Sequence, residues 1–382
     1  MEKEYQKNLH KSDIKRRAII FFILGLALVT FPFIWWQLKN TTVIDALIID
    51  KTVPDNSYRE HKGLVWVLNN LKIFNKDSGK PFDYRKEYYG FLPGEGENYE
   101  VKELPEQLNN PELVYITDTY GVYNEDLNKE NLKGSRSNII YGGLEIDEVK
   151  KIKASLNNNT IVSEFNTLAS PTSEEARSEM EDIFGMKWSG WIGRYFSDLS
   201  DKNTEIPVWL IKAYEIQYLK FWDFQGPGFA LVKSDDTVVI LSQGKEITKD
   251  LNKIVFNEKS LVEFKVKDKV DYYYWFDIVQ PMEGTEVIAN YNISLTEEGK
   301  KHLKNYGLQS EFPAILRKEK KYTAYYFAGD FADNNKIPSL YKLSGLNFLN
   351  KITTLKIEGN QEYFYWNVYY PLMKKILLDL NK

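Results

Sequence analysis

Residues 18–38 carry no charged side chain, and 18–36 are almost purely apolar. An α-helix rises 1.5 Å per residue, so about 20 such residues cross the roughly 30 Å of a bilayer's hydrocarbon. Lys15, Arg16 and Arg17 stand immediately before the run, with Lys3, Lys7 and Lys11 further out, whereas the far flank offers Lys39 and little else. The positive-inside bias therefore predicts a cytoplasmic basic tail over 1–17, a transmembrane signal anchor over 18–38, and an extracytoplasmic remainder. Trp35 and Trp36 fit an aromatic belt where the helix leaves the bilayer. A cleaved signal peptide is the competing expectation. The length of the run and the bulky residues 33–38, where a small-x-small site would lie, argue for retention.

Beyond the anchor the pattern alternates. Residues 43–50 form a β-branched apolar run that predicts a buried strand, and Leu64, Val67, Leu68 and Leu71 fall at helical spacing within 58–71. A second buried strand is predicted over 113–117, ending at Asp118. It precedes an amphipathic helix over 146–156 marked by Ile146, Val149, Ile152 and Leu156. A third strand starts at 160–162 and runs into Ser163-Glu164-Phe165-Asn166-Thr167, and Thr172 with Glu175 gives a capping-box pattern for a helix over 174–184. This order predicts an α/β fold with a parallel sheet and helices on both faces. From about 207 to 320 the period shortens to that of strands (229–233, 238–241, 261–267, 272–279, 286–291). An apolar strand over 322–327 ends in Ala328-Gly329-Asp330, and an aromatic helix over 364–380 follows. Residues 43–382 thus read as one extracytoplasmic α/β domain with a strand-rich insertion.

Composition removes whole classes of chemistry. A hydrophobic content of 43%, with 26 Tyr and 9 Trp, supports a packed core. A net charge of −4 gives no footprint for nucleic acid, so no such partner is expected. The absence of cysteine excludes disulfides, thiolate nucleophiles and Cys-ligated zinc. Histidines are few: His10 precedes the anchor, His302 sits in a Lys-rich helical stretch, and His61 stands near a helix start, as a proton carrier or a capping residue. No phosphate-cradling loop is present, Asp330 and Asp333 lack a second acidic cluster at ligand spacing, and neither cofactor nor metal is expected.

The element order, with strands ending at Asp50 and Asp118 and the run 160–166, resembles the class I glutamine amidotransferase-like superfamily. The late residues 270–279, 312–316 and 322–330 and the helix around Tyr370-Pro371 point to its ThuA-like, non-amidotransferase branch. The resemblance implies a flavodoxin-like sheet. Members with amidotransferase activity place a Cys nucleophile at the turn after a strand, with a His and an acidic partner late in the chain. Here that turn is Ser163–Thr167 and the late strand ends in Asp330, so the resemblance implies the fold without that triad.

Open α/β sheets bind ligands outside the carboxyl ends of their strands. Asp50, Lys51, Asp118, Tyr120, Glu164, Asn166 and Asp330 stand there, and the phrase 190–198, whose two glycines let the backbone turn closely, offers Trp191 and Arg194 either as the lining of a cleft or as part of a packed loop with Arg194 ion-paired to a carboxylate. Carboxylates, Asn and aromatic faces suit sugar hydroxyls and rings. Glu164 with Asp118 or Asp330 could also serve as acid and base in glycoside cleavage. Equally, Asp, Asn and Thr at such positions commonly cap helices and tie down loops. The aromatic stretches 272–276 and 363–370 suit either core or platform. The leading expectation is a membrane-anchored ligand-binding or assembly component of the cell envelope, tied to surface polysaccharide. A glycan hydrolase and a structural subunit of a membrane complex are the alternatives. The expected partners are the bilayer through 18–38, a glycan, and membrane-complex subunits.

Overall fold

The computed structural model describes residues 2–127, 136–248 and 252–380, with side chains given from Lys15 onward except at 24, 28 and 29. The side chains of Lys3, Lys7, His10 and Lys11 lie outside that description. The chain opens with a 37-residue helix, α1 (Glu2–Leu38), whose segment Lys15–Leu38 is long and apolar enough to cross a membrane. That segment's described side chains are exposed up to Phe31.

The last turn of α1 is fastened to the domain. Trp36 is 3% exposed, its Nε1–H donates to the Asn70 carbonyl (2.9 Å), and Tyr341 packs edge-on against it at 6.0 Å. A helix end leaves carbonyls without intrahelical partners. Buried Lys72 supplies donors there: its Nζ reaches the carbonyls of Gln37 (3.0 Å) and Lys39 (2.8 Å), with the Trp36 ring 5.1 Å away. The connector is therefore pinned on both sides.

Fourteen strands build the two larger sheets: β1 (Ala46–Asp50), β2 (Tyr89–Pro93), β3 (Tyr99–Lys102), β4 (Leu113–Ile116), β5 (Thr160–Ser163), β6 (Met186–Phe196), β7 (Gly228–Lys233), β8 (Val238–Ser242), β9 (Lys253–Phe256), β10 (Lys269–Asp271), β11 (Phe276–Pro281), β12 (Glu286–Asn292), β13 (Glu311–Glu319) and β14 (Thr323–Phe327). The larger sheet has ten strands in the order β10-β9-β12-β13-β14-β5-β4-β1-β2-β3. Its five central members, β14 through β2, run parallel, and the flanking ones are antiparallel. The sheet is thus mixed, where a parallel one was expected. Four of the five added strands come from the 253–319 stretch and extend the parallel core on one side, while β3 pairs with β2 at the other edge. Residues 47–50, 113–116 and 161–163 are buried without alternation, as strands covered on both faces must be.

The second sheet, β8-β7-β6-β11, is wholly antiparallel and has its own apolar cluster, including Phe196, Leu199, Leu210, Trp222 and Ile240. Two local expectations in this region need correcting. Residues 261–267 are not a strand: Asn257 caps a helix, Glu258–Phe264, by accepting the Ser260 N–H. A further helix, Val208–Tyr218, begins after Pro207, where strands were expected. Likewise Ser173, not Thr172, caps the helix Glu174–Phe184, because Thr172 Oγ1 is already bonded to Thr167 O and Leu144 N.

Replacing Trp36 with Ala removes a buried ring and its hydrogen bond, a loss of about 3 kcal/mol. Chemical denaturation of the full chain in detergent should show that loss, and proteolysis should move to the connector around Lys39. Unchanged stability and an uncut connector would rule out the fastened joint.

Candidate functional site

Register decides which side chains meet at the carboxyl end of the parallel block. Ile49 pairs with Ile116, Ile116 with Ser163, and Ser163 with Tyr326, so these strands finish level with one another. The residues that follow each strand therefore stand side by side. The chain runs from β1 to β2 on one side and returns to β4 on the other, and loops that part in this way open a crevice between them.

Asp50 and Asp118 occupy that crevice. Asp50 is fully buried, with Oδ2 2.5 Å from His61 Nδ1, and His61 Nε2 lies 2.6 Å from the Tyr84 carbonyl. A carbonyl only accepts, so Nε2 carries a hydrogen and donates it there, while the ring's other nitrogen meets the Asp50 carboxyl. Asp118 Oδ1 accepts from Thr52 Oγ1 (2.8 Å) and the Tyr120 N–H (2.6 Å), and Oδ2 accepts from Asn166 Nδ2 (3.2 Å). Burial pushes the Asp118 carboxyl up to about 7, against those donors. Asn166 itself sits in the left-handed region at φ 67°, a conformation Asn tolerates.

Glu164 is saturated with donors. Tyr115 Oη donates to Oε1, and the N–H groups of Phe331 (2.7 Å) and Ala332 (3.0 Å) donate to Oε2. Burial nevertheless raises its carboxyl to about 8. Its evident role is to tie the loop after β14 to the end of β5.

An acidic cluster lies on the same rim. Oxygens of Glu60, Asp330 and Asp333 all fall within 4.8 Å of one another, and all three residues are buried. Arg59 pairs with Glu60 (2.9 Å) and Asp333 (3.1 Å), and its Nη2 donates to Tyr274 Oη (3.2 Å). Glu60 Oε2 has no hydrogen-bond partner. Asp330 is held through its backbone, by Tyr272 Oη at its N–H and Gln361 Nε2 at its carbonyl. Two like charges at such a separation repel by about 3–4 kcal/mol at an effective dielectric of about 20. One guanidinium does not offset three carboxylates, so burial first and mutual repulsion second hold the Glu60 and Asp330 carboxyls well above the usual range. All-oxygen donors of this kind suit a hard cation such as calcium or magnesium rather than zinc. A cavity of about 440 Å³, lined by Arg59, Tyr274, Asp333, Asn334, Lys336 and Glu362, opens the cluster's edge to solvent.

The remaining candidates divide. Lys51 is buried and tied to the Gly143 carbonyl and Glu148 (both 2.7 Å), so it anchors the helix Ile146–Ala154 instead of facing a ligand. Trp191 is 4% exposed and packs edge-on against Tyr306, a core position. The phrase 190–198, expected as a loop, is largely strand β6, which explains both placements. Arg194 lies over Tyr274 at 5.0 Å and pairs with Glu205, at the border of the acidic cluster. Tyr120 donates its N–H to Asp118 and turns its ring toward a second cavity of about 440 Å³. Tyr123, Arg136, Trp188, Trp209 and Asp236 also line that cavity, between the loop after β4 and the second sheet.

Arg59 and Glu60 went unnoticed in the sequence, Tyr274 stood out only as part of the stretch 272–276, and Asp277 was missed too, buried with Tyr326 Oη at 2.5 Å and raised by burial to about 7. A signal existed for Glu60: it stands four residues before Leu64 and seven before Val67, in line with the helix's apolar stripe.

Acids whose folded pKa lies above the unfolded value bind protons on folding, so their stabilising effect is full below about pH 4 and is lost as pH rises through about 7 and 8. Denaturation at pH 5.5 and pH 8.5 should therefore find the domain more stable at the lower value. Asp330→Asn should raise stability at pH 8.5 and flatten the difference. Greater stability of the parent at pH 8.5 would refute the charge assignment.

No family model matches the chain, and no curated protein matches it. The crystal structure of SMU.1228c aligns over 90% of this chain and 100% of its own, at 10% identity and a TM-score of 0.36, a likeness too slight to bear on fold or function.

Proposed function

We propose that the chain is a single-pass membrane protein, N-terminus in the cytoplasm, whose extracytoplasmic domain binds a carbohydrate of the cell envelope and has no amidotransferase activity. The basic residues Lys15–Arg17 before the apolar helix support the orientation. Numbered by their order along the chain, the five parallel strands are arranged 2-1-3-4-5, which supports the flavodoxin-like reading of the core and, with it, the amidotransferase-like one. At the turn after β5 stands Glu164 with its oxygens occupied by donors, where that chemistry would need a free nucleophile.

The observation that carries the binding reading is the cleft beside Asp118. Tyr120 is 41% exposed and leans on Tyr123 with ring centroids 4.8 Å apart, while half-buried Trp188 and Trp209 line the same cavity. Aromatic faces flanked by the Arg136–Asp236 ion pair offer the mixture of apolar stacking and hydrogen bonding that sugar rings require. Glycoside hydrolysis by Glu164 with Asp118 is the weaker reading, because both carboxylates already accept hydrogen bonds on each oxygen.

The full chain in lipid nanodiscs should bind at least one member of a panel of bacterial surface polysaccharide fragments. Tyr120→Ala should weaken that binding about tenfold, or about 1.4 kcal/mol. If the parent retains no glycan, or Tyr120→Ala binds as well as the parent, the carbohydrate assignment falls.

A further inference from the structure

The domain meets α1 at a second level, below its end. The Ser344 N–H donates to the Pro32 carbonyl (3.0 Å), six residues before Leu38. At 1.5 Å per residue that contact lies about 9 Å from the helix's end, toward its apolar interior. From there the chain enters a short helix, Leu346–Thr353, in which no residue is buried. Phe348, Leu349 and Ile352 are 63%, 51% and 62% exposed, and Leu355 and Ile357 follow at 67% and 56%. Within the helix, position 352 follows 348 by four residues and 349 by three, the spacing of one helical face. Single exposed apolar side chains are ordinary; five large ones in ten residues are not.

Next to Pro32 on α1, Phe31, Phe33 and Ile34 are exposed as well. Lys342 precedes the short helix and Lys351 stands in its last turn, the charge that phosphate headgroups attract, while Lys356 beyond it is paired with Asp271 (2.7 Å). We infer that Leu346–Thr353, with Leu355 and Ile357, lies in the bilayer interface on the domain's side, its apolar face in the acyl boundary. The protein then has an in-plane membrane contact in addition to its spanning helix. The depth agrees with the roughly 5–10 Å at which amphipathic helices settle below the headgroups. This rests on reading α1 as a membrane span, and the test separates the two.

The chain has no cysteine, so Phe348→Cys, Ile352→Cys, Leu219→Cys and Ile23→Cys each accept one fluorescent label. All four replaced side chains are exposed, Leu219 at 90%, so none is needed for packing. The full chain is placed one copy per nanodisc, and quenching by nitroxide-bearing lipid is read at each site. Labels at 348 and 352 should be quenched at least about twofold more than the label at 219, with 23 quenched as well. Quenching at 23 but only background at 348 and 352 overturns the in-plane contact and leaves the anchor intact. Background at 23 overturns both. If 348 is shielded from water only when several copies share a disc, the face belongs to a second copy and the inference fails.

Discussion

The burial of carboxylates at one end of the parallel strands is the constraint around which the rest of the site is organised. Asp50, Glu60, Asp118, Glu164, Asp330 and Asp333 all sit out of solvent, and isolated charges there would be prohibitive. Each is answered differently. Asp50 takes a histidine, Glu164 two backbone N–H groups and a tyrosine, Asp118 a threonine, an amide and an N–H, and Asp333 a guanidinium. Glu60 shares that guanidinium but leaves Oε2 without a partner, Asp330 is held through its backbone, and burial raises both carboxyls well above the usual range. Incomplete answers of this kind are where proteins keep function, because stability alone would favour apolar replacements.

The fold supplies the arrangement through register. Strands that end level bring polar residues 66 to 68 positions apart in sequence within hydrogen-bond reach, as Thr52 and Thr117 show with Asp118 and the Ile49 carbonyl. The aromatic content does complementary work. Tyr115, Tyr272 and Tyr369 are buried beside these acids, and Tyr326 beside Asp277, each combining core volume with a hydroxyl that can donate or accept.

Much of this was legible in the chain. Asp50, Asp118 and Glu164 each end an unbroken apolar run, and a polar residue there can only lie at a strand's end in an α/β sheet. Distant partners left no such mark. Glu60 meets Asp330 across 270 residues, and only its place in an apolar stripe hinted that it turns inward. The stretch 261–267 misled because its apolar residues alternate, whereas the Asn257 cap upstream decides the local backbone. Trp191 and Arg194 misled in the other direction: two glycines suggested a loop, yet strand β6 passes through them, with a bulge between Trp188 and Trp191.

With α1 read as a membrane span, as proposed, the fastened joint at Trp36 and Lys72 would give the domain a mechanical relation to the bilayer. A helix longer than the hydrocarbon around it tilts to fit. Where a flexible linker follows, that tilt is absorbed; here the helix's last turn is part of the domain's own packing. A thinner bilayer would therefore lean the whole domain over, and a thicker one would bring it upright. The height at which the aromatic cleft sweeps the surface becomes a function of lipid composition.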